Sequence, residues 1–389
     1  MVPEVSIIWM AKQRLLSGGL LTEWVPYEFG GYPLVRFLSY PFYDALSLLS
    51  IGTSLSVDVL YKAAFIAVYV GSGIAFYEYA RQLTKKRAAA LAGGLIYALF
   101  PYHLLAISEA WVHALFWLVT PLLFLSYERS RKEGRRSASD HIRMGVLIGL
   151  LPLINTEYTL LIAPFLGLYL LVREASLIWQ RRIDPLSVIK FWVPVVVIAF
   201  GLSAFFVLPG VLELEYVGIH LKHGAESYQS LELLRGYTVS PALVLRAIAR
   251  RFGLPWDTPD GSVLASAFWS ATWYPGIIAL GLAALGVWFG RDQPRIRLSL
   301  LLLLLAILFT LGTRLAWNPF PLMPFIGRLA PFRAMAFVGF FLATCAAWGA
   351  KAITNRVNLS KVAWLVPLGL TLVILVDYWP ATKALRTMP

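Results

Sequence analysis

The side chains best suited to chemistry in this chain are a few carboxylates and arginines set beside long apolar runs. Glu109 lies four residues before His113, so on a helix the two share one face. Such a pair could share a proton or a metal, although polar pairs at this spacing are also common at a helix lip without any function. Glu157 follows Asn155 and Thr156 at the break between two short apolar runs. A buried acid there needs a partner, whereas a helix-capping or water-exposed carboxylate does not. Arg328 and Arg333 flank Pro331 in a proline-rich stretch. A guanidinium matches phosphate oxygens bidentately, and an arginine resting on lipid phosphate would look the same. Arg36 and Lys222 are weaker candidates of this kind. If a metal is used, the carboxylate oxygens favour magnesium or manganese over zinc. The one cysteine, Cys345, lies in an apolar run and leaves no disulfide framework or Cys-based metal site.

The elements that must position these groups are membrane spans. The 389 residues are 59% hydrophobic and 14% charged, with a mean hydropathy of +0.69, whereas soluble domains are about 25% charged. Apolar runs able to cross or nearly cross a bilayer lie at 59–79, 88–104, 110–126, 144–155, 158–172, 191–211, 272–289, 298–311, 331–350 and 362–376. The runs 144–155 and 158–172 are short and read as half-helices meeting around Asn155, tolerable only where they line protein or a cavity. Well over half of the 34 Lys and Arg fall in alternate loops at 81–87, 128–143, 173–185, 291–297 and 351–361 or at the adjoining span ends. By the positive-inside rule these loops face the cytoplasm, and two-thirds of the 21 Asp and Glu then lie outside. A net charge of +13 would suggest nucleic acid for a soluble protein; here it reads as topology, and no nucleic-acid partner is expected.

The resulting plan is an all-α polytopic membrane protein of about ten transmembrane or half-membrane helices in the cell membrane. It has an outer amino-terminal segment 1–58, membrane helices over 59–211, an outer loop 212–271, membrane helices over 272–377 and an outer tail 378–389. Within the outer loop, Ser240 and Pro241 start and Gly253 stops an amphipathic helix carrying Arg246, Arg250 and Arg251, suited to the membrane surface. No cleavable leader precedes this outer start. The topology therefore predicts an upstream helix, supplied by a longer gene product or by a partner chain.

Between Glu23 and Leu46 the outer segment is crowded with Trp24, Tyr27, Phe29, Tyr32, Phe37, Tyr40, Phe42 and Tyr43, with turns forced by Gly30, Gly31, Pro33 and Pro41. Such rings could stack on a sugar or simply anchor the chain at the interface. The motif Trp24-x-Pro26-Tyr27-x-Phe29-Gly30-Gly31-Tyr32-Pro33-Leu34 is followed by Gly93-Gly94-x-x-Tyr97-x-x-x-Pro101-Tyr102. Then come Leu202-Ser203-Ala204-Phe205-Phe206-x-Leu208-Pro209 and Pro321-x-x-Pro324-Phe325-x-x-Arg328-x-x-Pro331-x-Arg333. In that order the four resemble the membrane family labelled pyruvoyl-tetrahydropterin-synthase-related, which is itself similar to the glycosyltransferase C superfamily.

That resemblance implies transfer of a sugar from a polyprenyl-phosphate-linked donor to an acceptor at the outer face. It also implies an acid in the first outer loop that activates the acceptor or binds a divalent cation. Here only Glu4 and Glu23 precede the Trp24 motif, which leaves three alternatives: Glu4 substitutes, the acid lies upstream, or the activity has been lost. Glu109 and Glu157 become the further catalytic acids and Arg328, Arg333, Arg36 and Lys222 the donor phosphate ligands. Trp24, Tyr27, Tyr32 and His113 become sugar or acceptor contacts. The partners implied are the bilayer and the lipid-linked donor. Two other classes compete: a lipid or solute transporter, and a non-catalytic scaffold or fragment of a split protein. Transport would place ionisable groups at mid-span, where the apolar runs carry almost none.

Overall fold

The computed structural model describes residues 3–17, 40–104, 111–131, 137–212, 273–312, 331–356 and 365–386, with 244, 245 and 248 besides. Among these residues every regular element is helical. The α-helices are α1 (Pro3–Leu16), α2 (Tyr40–Thr53), α3 (Val57–Thr84), α4 (Arg87–Leu99), α5 (Trp111–Ser130), α6 (Ala138–Ile154), α7 (Thr156–Trp179) and α8 (Pro185–Leu212). They continue with α9 (Ile277–Gly290), α10 (Pro294–Leu311), α11 (Met335–Arg356) and α12 (Leu365–Arg386), and a 3-10 turn spans Pro331–Ala334. Five described stretches are long and apolar enough to cross a membrane: Val57–Thr84, Thr156–Trp179, Pro185–Leu208, Pro294–Leu311 and Pro331–Arg356. The chain is a multi-pass membrane protein.

Several helices outrun the apolar stretches that announce them. Helix α7 continues through Arg173 and Glu174 to Trp179, so it is 24 residues long rather than a half-helix. Arg, Glu and Gln are good helix formers, and their long side chains reach polar surroundings from a helix end without breaking it. In the other direction, the run 88–104 is divided. Phe100 takes ψ 122° and ends α4 at Leu99, because the ring of Pro101 disfavours helical geometry in the residue before it.

The chain forms two compact units: Met1–Ser72, Glu109–Thr159 and Pro185–Gly218 make the first, and Gly73–Ser108, Leu160–Asp184 and Ile219–Pro389 the second. In the first, α1 and α2 are tied by Ser47, which donates to the Ile8 carbonyl at 2.8 Å, and by Lys12, which donates to Ser50 at 2.8 Å. Helices α6 and α8 touch through glycine: a Cβ on Gly149 would stand 2.8 Å from the Ala199 carbonyl oxygen. The start of α6 is held by Asp140, whose carboxylate accepts the Ser137 N–H at 3.3 Å.

The second unit is built around α11. Every residue from Met335 to Ala350 is buried, the pattern of a helix apolar on all sides and surrounded by others. It packs against α4, α9 and α10. Contact with α9 is close because Gly286 faces the Cys345 carbonyl and Gly349 faces the Leu282 carbonyl; a methyl group at either position would run into backbone. Contact with α4 runs from Gly93 against Ala347 to Gly339 against Phe100, so α4 and α11 are antiparallel. The core between them stacks Tyr97 on Phe76 at 4.6 Å and Tyr79 on Phe340 at 5.3 Å.

Candidate functional site

Chain direction in the second unit gathers the ends of four segments: the turn after α4, the start of α9, the 3-10 turn before α11 and the far part of α12. Tyr102 lies face to face with Trp273, ring centroids 6.2 Å apart and planes 20° apart. Phe332 meets both rings edge-on, at 6.2 Å from Tyr102 and 6.4 Å from Trp273. Two of the sequence motifs therefore converge, because Tyr102 closes one and Phe332 sits between Pro331 and Arg333 in the other. Arg333 is half-buried at this edge, its guanidinium 6.0 Å from the centroid of the Phe332 ring. An arginine beside stacked aromatic surfaces can hold a phosphate through its fork while a ring supports an apolar or sugar face.

Behind that edge the polar groups are locked. Asp377 is buried and accepts the Tyr274 hydroxyl proton through one carboxylate oxygen and the Ile278 N–H, at 2.9 Å, through the other. It caps α9 from a different helix, where a negative charge complements the unpaired N–H groups of the first turn. Tyr378 donates to the Pro275 carbonyl at 2.8 Å. Gly276 takes φ +83°, and a Cβ there would lie 2.5 Å from the Tyr378 hydroxyl oxygen, so glycine is required twice over. His103 is fully buried with Nδ1 3.1 Å from the Tyr97 carbonyl. A carbonyl oxygen only accepts, so Nδ1 carries the ring proton.

In the first unit, Glu157 is half-buried in the first turn of α7. The capping role belongs to its neighbour: Asn155 is buried and extended, and its side-chain oxygen accepts the Tyr158 N–H at 3.0 Å. Thr159 donates to the Asn155 carbonyl at 2.7 Å, and Tyr158 stacks on Phe116 at 4.9 Å. Glu157 thus stands at a helix start whose cap is already filled, in surroundings favourable to a carboxylate.

Of the other residues singled out from sequence, Glu4 and His113 sit in the first turns of α1 and α5, but their side chains lie outside the described part. Glu109, Arg328, Arg36, Lys222, Trp24, Tyr27 and Tyr32 lie outside the described residues, as do Arg246, Arg250 and Arg251. Among the described residues no group of three or more His, Cys, Asp or Glu is placed to hold a metal ion. Sequence reasoning passed over His103 and the Trp273–Tyr274 pair. Their signals were present: a histidine inside an apolar run, and two aromatics directly before Pro275 and Gly276.

No family model matches the chain. No curated protein matches it either. Among solved structures, the chain is similar to the arabinofuranosyltransferase AftD from Mycobacteria, seen by single-particle cryo-EM, with a TM-score of 0.53 at 15% sequence identity. The likeness takes in 98% of this chain and 24% of that one, so the chain spans about a quarter of the transferase's length. At this identity the likeness is one of fold: the helical architecture here resembles part of that membrane enzyme.

Proposed function

We propose that this chain is a membrane glycosyltransferase-like protein of the glycosyltransferase C kind. It transfers a sugar from a polyprenyl-phosphate-linked donor to an acceptor at the outer face of the cell membrane. The observation that carries this reading is the likeness, over almost the whole chain, to part of an arabinofuranosyltransferase. The motif resemblance and the convergence of Tyr102, Phe332 and Arg333 at one edge support it. In such a reaction a carboxylate takes the acceptor hydroxyl proton, the oxygen attacks the sugar carbon, and a cation offsets the charge growing on the leaving phosphate. Glu4, Glu109 and Glu157 are the acids proposed for the first task. Arg333, with Arg328, Arg36 and Lys222, is proposed for the last. Trp24, Tyr27, Tyr32 and His113 are proposed to contact sugar or acceptor. If a metal takes part, magnesium or manganese suits the oxygens of the proposed carboxylates.

The test is transfer of label from polyprenyl-phosphate sugars in membranes containing the chain, with metal stripped by chelator and then restored. Glu4→Gln, Glu109→Gln and Glu157→Gln are compared with wild type, and the essential base is expected to show a loss of about 100-fold or more. Arg333→Ala is expected to lose about 10-fold or more through the donor phosphate. Transfer untouched by all four substitutions sinks the proposed site.

A second reading is a non-catalytic scaffold or a fragment that works with a partner chain. The span of only a quarter of the transferase favours it. Absence of transfer by this chain alone, restored by a co-expressed partner, would decide for it. Orientation is tested separately: cysteine labelling of intact cells at the Glu109 turn is expected to succeed without permeabilisation.

A further inference from the structure

Residues 1–58 contain no apolar run long enough to cross a bilayer, and from sequence they belong outside it. Helix α2 is nevertheless turned inside out for a helix in water. Ala45, Leu48, Leu49 and Gly52 follow one another at helical spacing and form one stripe. All four are exposed, Leu48 by 54% and Leu49 by 52%. The opposite side carries Tyr43, Ser47 and Ser50, which are buried, as is Asp44. A surface helix of a soluble protein does the reverse, hiding its leucines and showing its serines.

The buried polar side is occupied in holding α1. Ser47 donates to the Ile8 carbonyl at 2.8 Å, Lys12 to Ser50 at 2.8 Å, and Ser50 to the Leu55 carbonyl at 2.7 Å. Thr53, at the exposed end, donates within its own helix to the Leu49 carbonyl at 2.6 Å. On α1, Trp9 and Leu16 are exposed as well. Helices that associate in lipid are joined by polar contacts of this kind, because leucine gains nothing there by leaving the acyl chains.

Continuity with a span points to lipid as what covers the stripe. Only Ser54, Leu55 and Ser56 separate α2 from α3, which is long and apolar enough to cross a membrane. Val59, Ile66 and Val70 of α3 are each half exposed or more, the face a span turns to lipid, and Leu55 is exposed too. Asp58 and Lys62, paired at 2.7 Å and both exposed, mark this end of α3 as the polar one. Helix α2 has 14 residues, about 21 Å at 1.5 Å per residue, against a hydrocarbon core of about 30 Å. It can enter one leaflet and cannot cross both.

We infer that α1 and α2 form a membrane-embedded pair that does not cross the bilayer. Ala45, Leu48, Leu49 and Gly52 lie among the acyl chains of the leaflet in which α3 begins, and the polar seam faces α1. This placement rests on burial and hydrogen bonding in the pair and is independent of sugar transfer.

The test uses the full chain carrying Cys345→Ala, reconstituted in phosphatidylcholine nanodiscs, with a single nitroxide label at Leu48→Cys, Leu49→Cys, Ile66→Cys or Ser54→Cys. Each label is read for accessibility to oxygen, which concentrates among acyl chains, and to a nickel chelate, which stays in water. The oxygen-to-nickel ratio at positions 48 and 49 is expected to match that at 66 and to exceed that at 54. A ratio at 48 and 49 as low as at 54 puts the stripe in water and overturns the inference. Low accessibility to both reagents also overturns it and gives the stripe to a protein surface, a second copy or a partner chain. Since a label can disturb the pair, the wild-type chain is also treated with a carbene probe carried on a lipid acyl chain. Adducts are expected at Leu48 or Leu49, and their absence where α3 is labelled overturns the inference.

Discussion

At one end of the second unit Asp377 lies buried under Tyr274 and the first turn of α9, every oxygen of its carboxylate engaged by protein. At the other end Lys351, Arg291 and Arg356 rest on aromatic rings, and none of them pairs with a carboxylate among the described residues. The first arrangement is self-sufficient. Two helices and a turn are latched by hydrogen bonds to a charged group, each worth about 1.5–3 kcal/mol. Among the described residues the second has no such latch, since cation–π contact contributes only about 0.5–1 kcal/mol at exposed sites. Charged groups at the two ends of one bundle thus differ in how firmly the described residues hold them.

Substitutions that remove the latch should hurt most. Asp377→Ala strands the Tyr274 hydroxyl and the Ile278 N–H, and a loss of about 3 kcal/mol is expected in unfolding of the detergent-solubilised protein. Gly276→Ala comes next at about 2 kcal/mol, because a Cβ at φ +83° is strained and collides with Tyr378. Tyr378→Phe frees that space but gives up the bond to Pro275, for about 1 kcal/mol. In the double variant with Gly276→Ala the two losses should fall short of their sum, since removing the hydroxyl relieves the collision. Arg356→Ala at the basic end should cost only about 0.5 kcal/mol of stability. A stability loss from Arg356→Ala equal to that from Asp377→Ala would erase the contrast between the ends.

Much of the fold was legible in the sequence. Hydrophobic runs marked the helices, and the break at Asn155 and the alternation of basic loops were read from residue order. Helix ends were less legible, because Arg173 and Glu174 look like loop residues yet extend α7. Phe100 carried its own signal in the following proline, and the run 88–104 masked it. The aromatic edge was visible in part. Arg333 and Tyr102 belong to motifs that could be seen, whereas Trp273 and Asp377 gained their meaning only from partners far along the chain.

What the residue order determined by itself was local: apolar stretches long enough to span a bilayer, and charges gathered at their ends. The tertiary structure decided which ends meet. Gly286 and Gly349 let α9 and α11 close to backbone contact, and the antiparallel seat of α4 on α11 brings the start of α4 toward the last turns of that helix. Periodicity reports how one helix faces its surroundings. Contacts between helices depend on the fit of two surfaces at once, and no single stretch of sequence contains both.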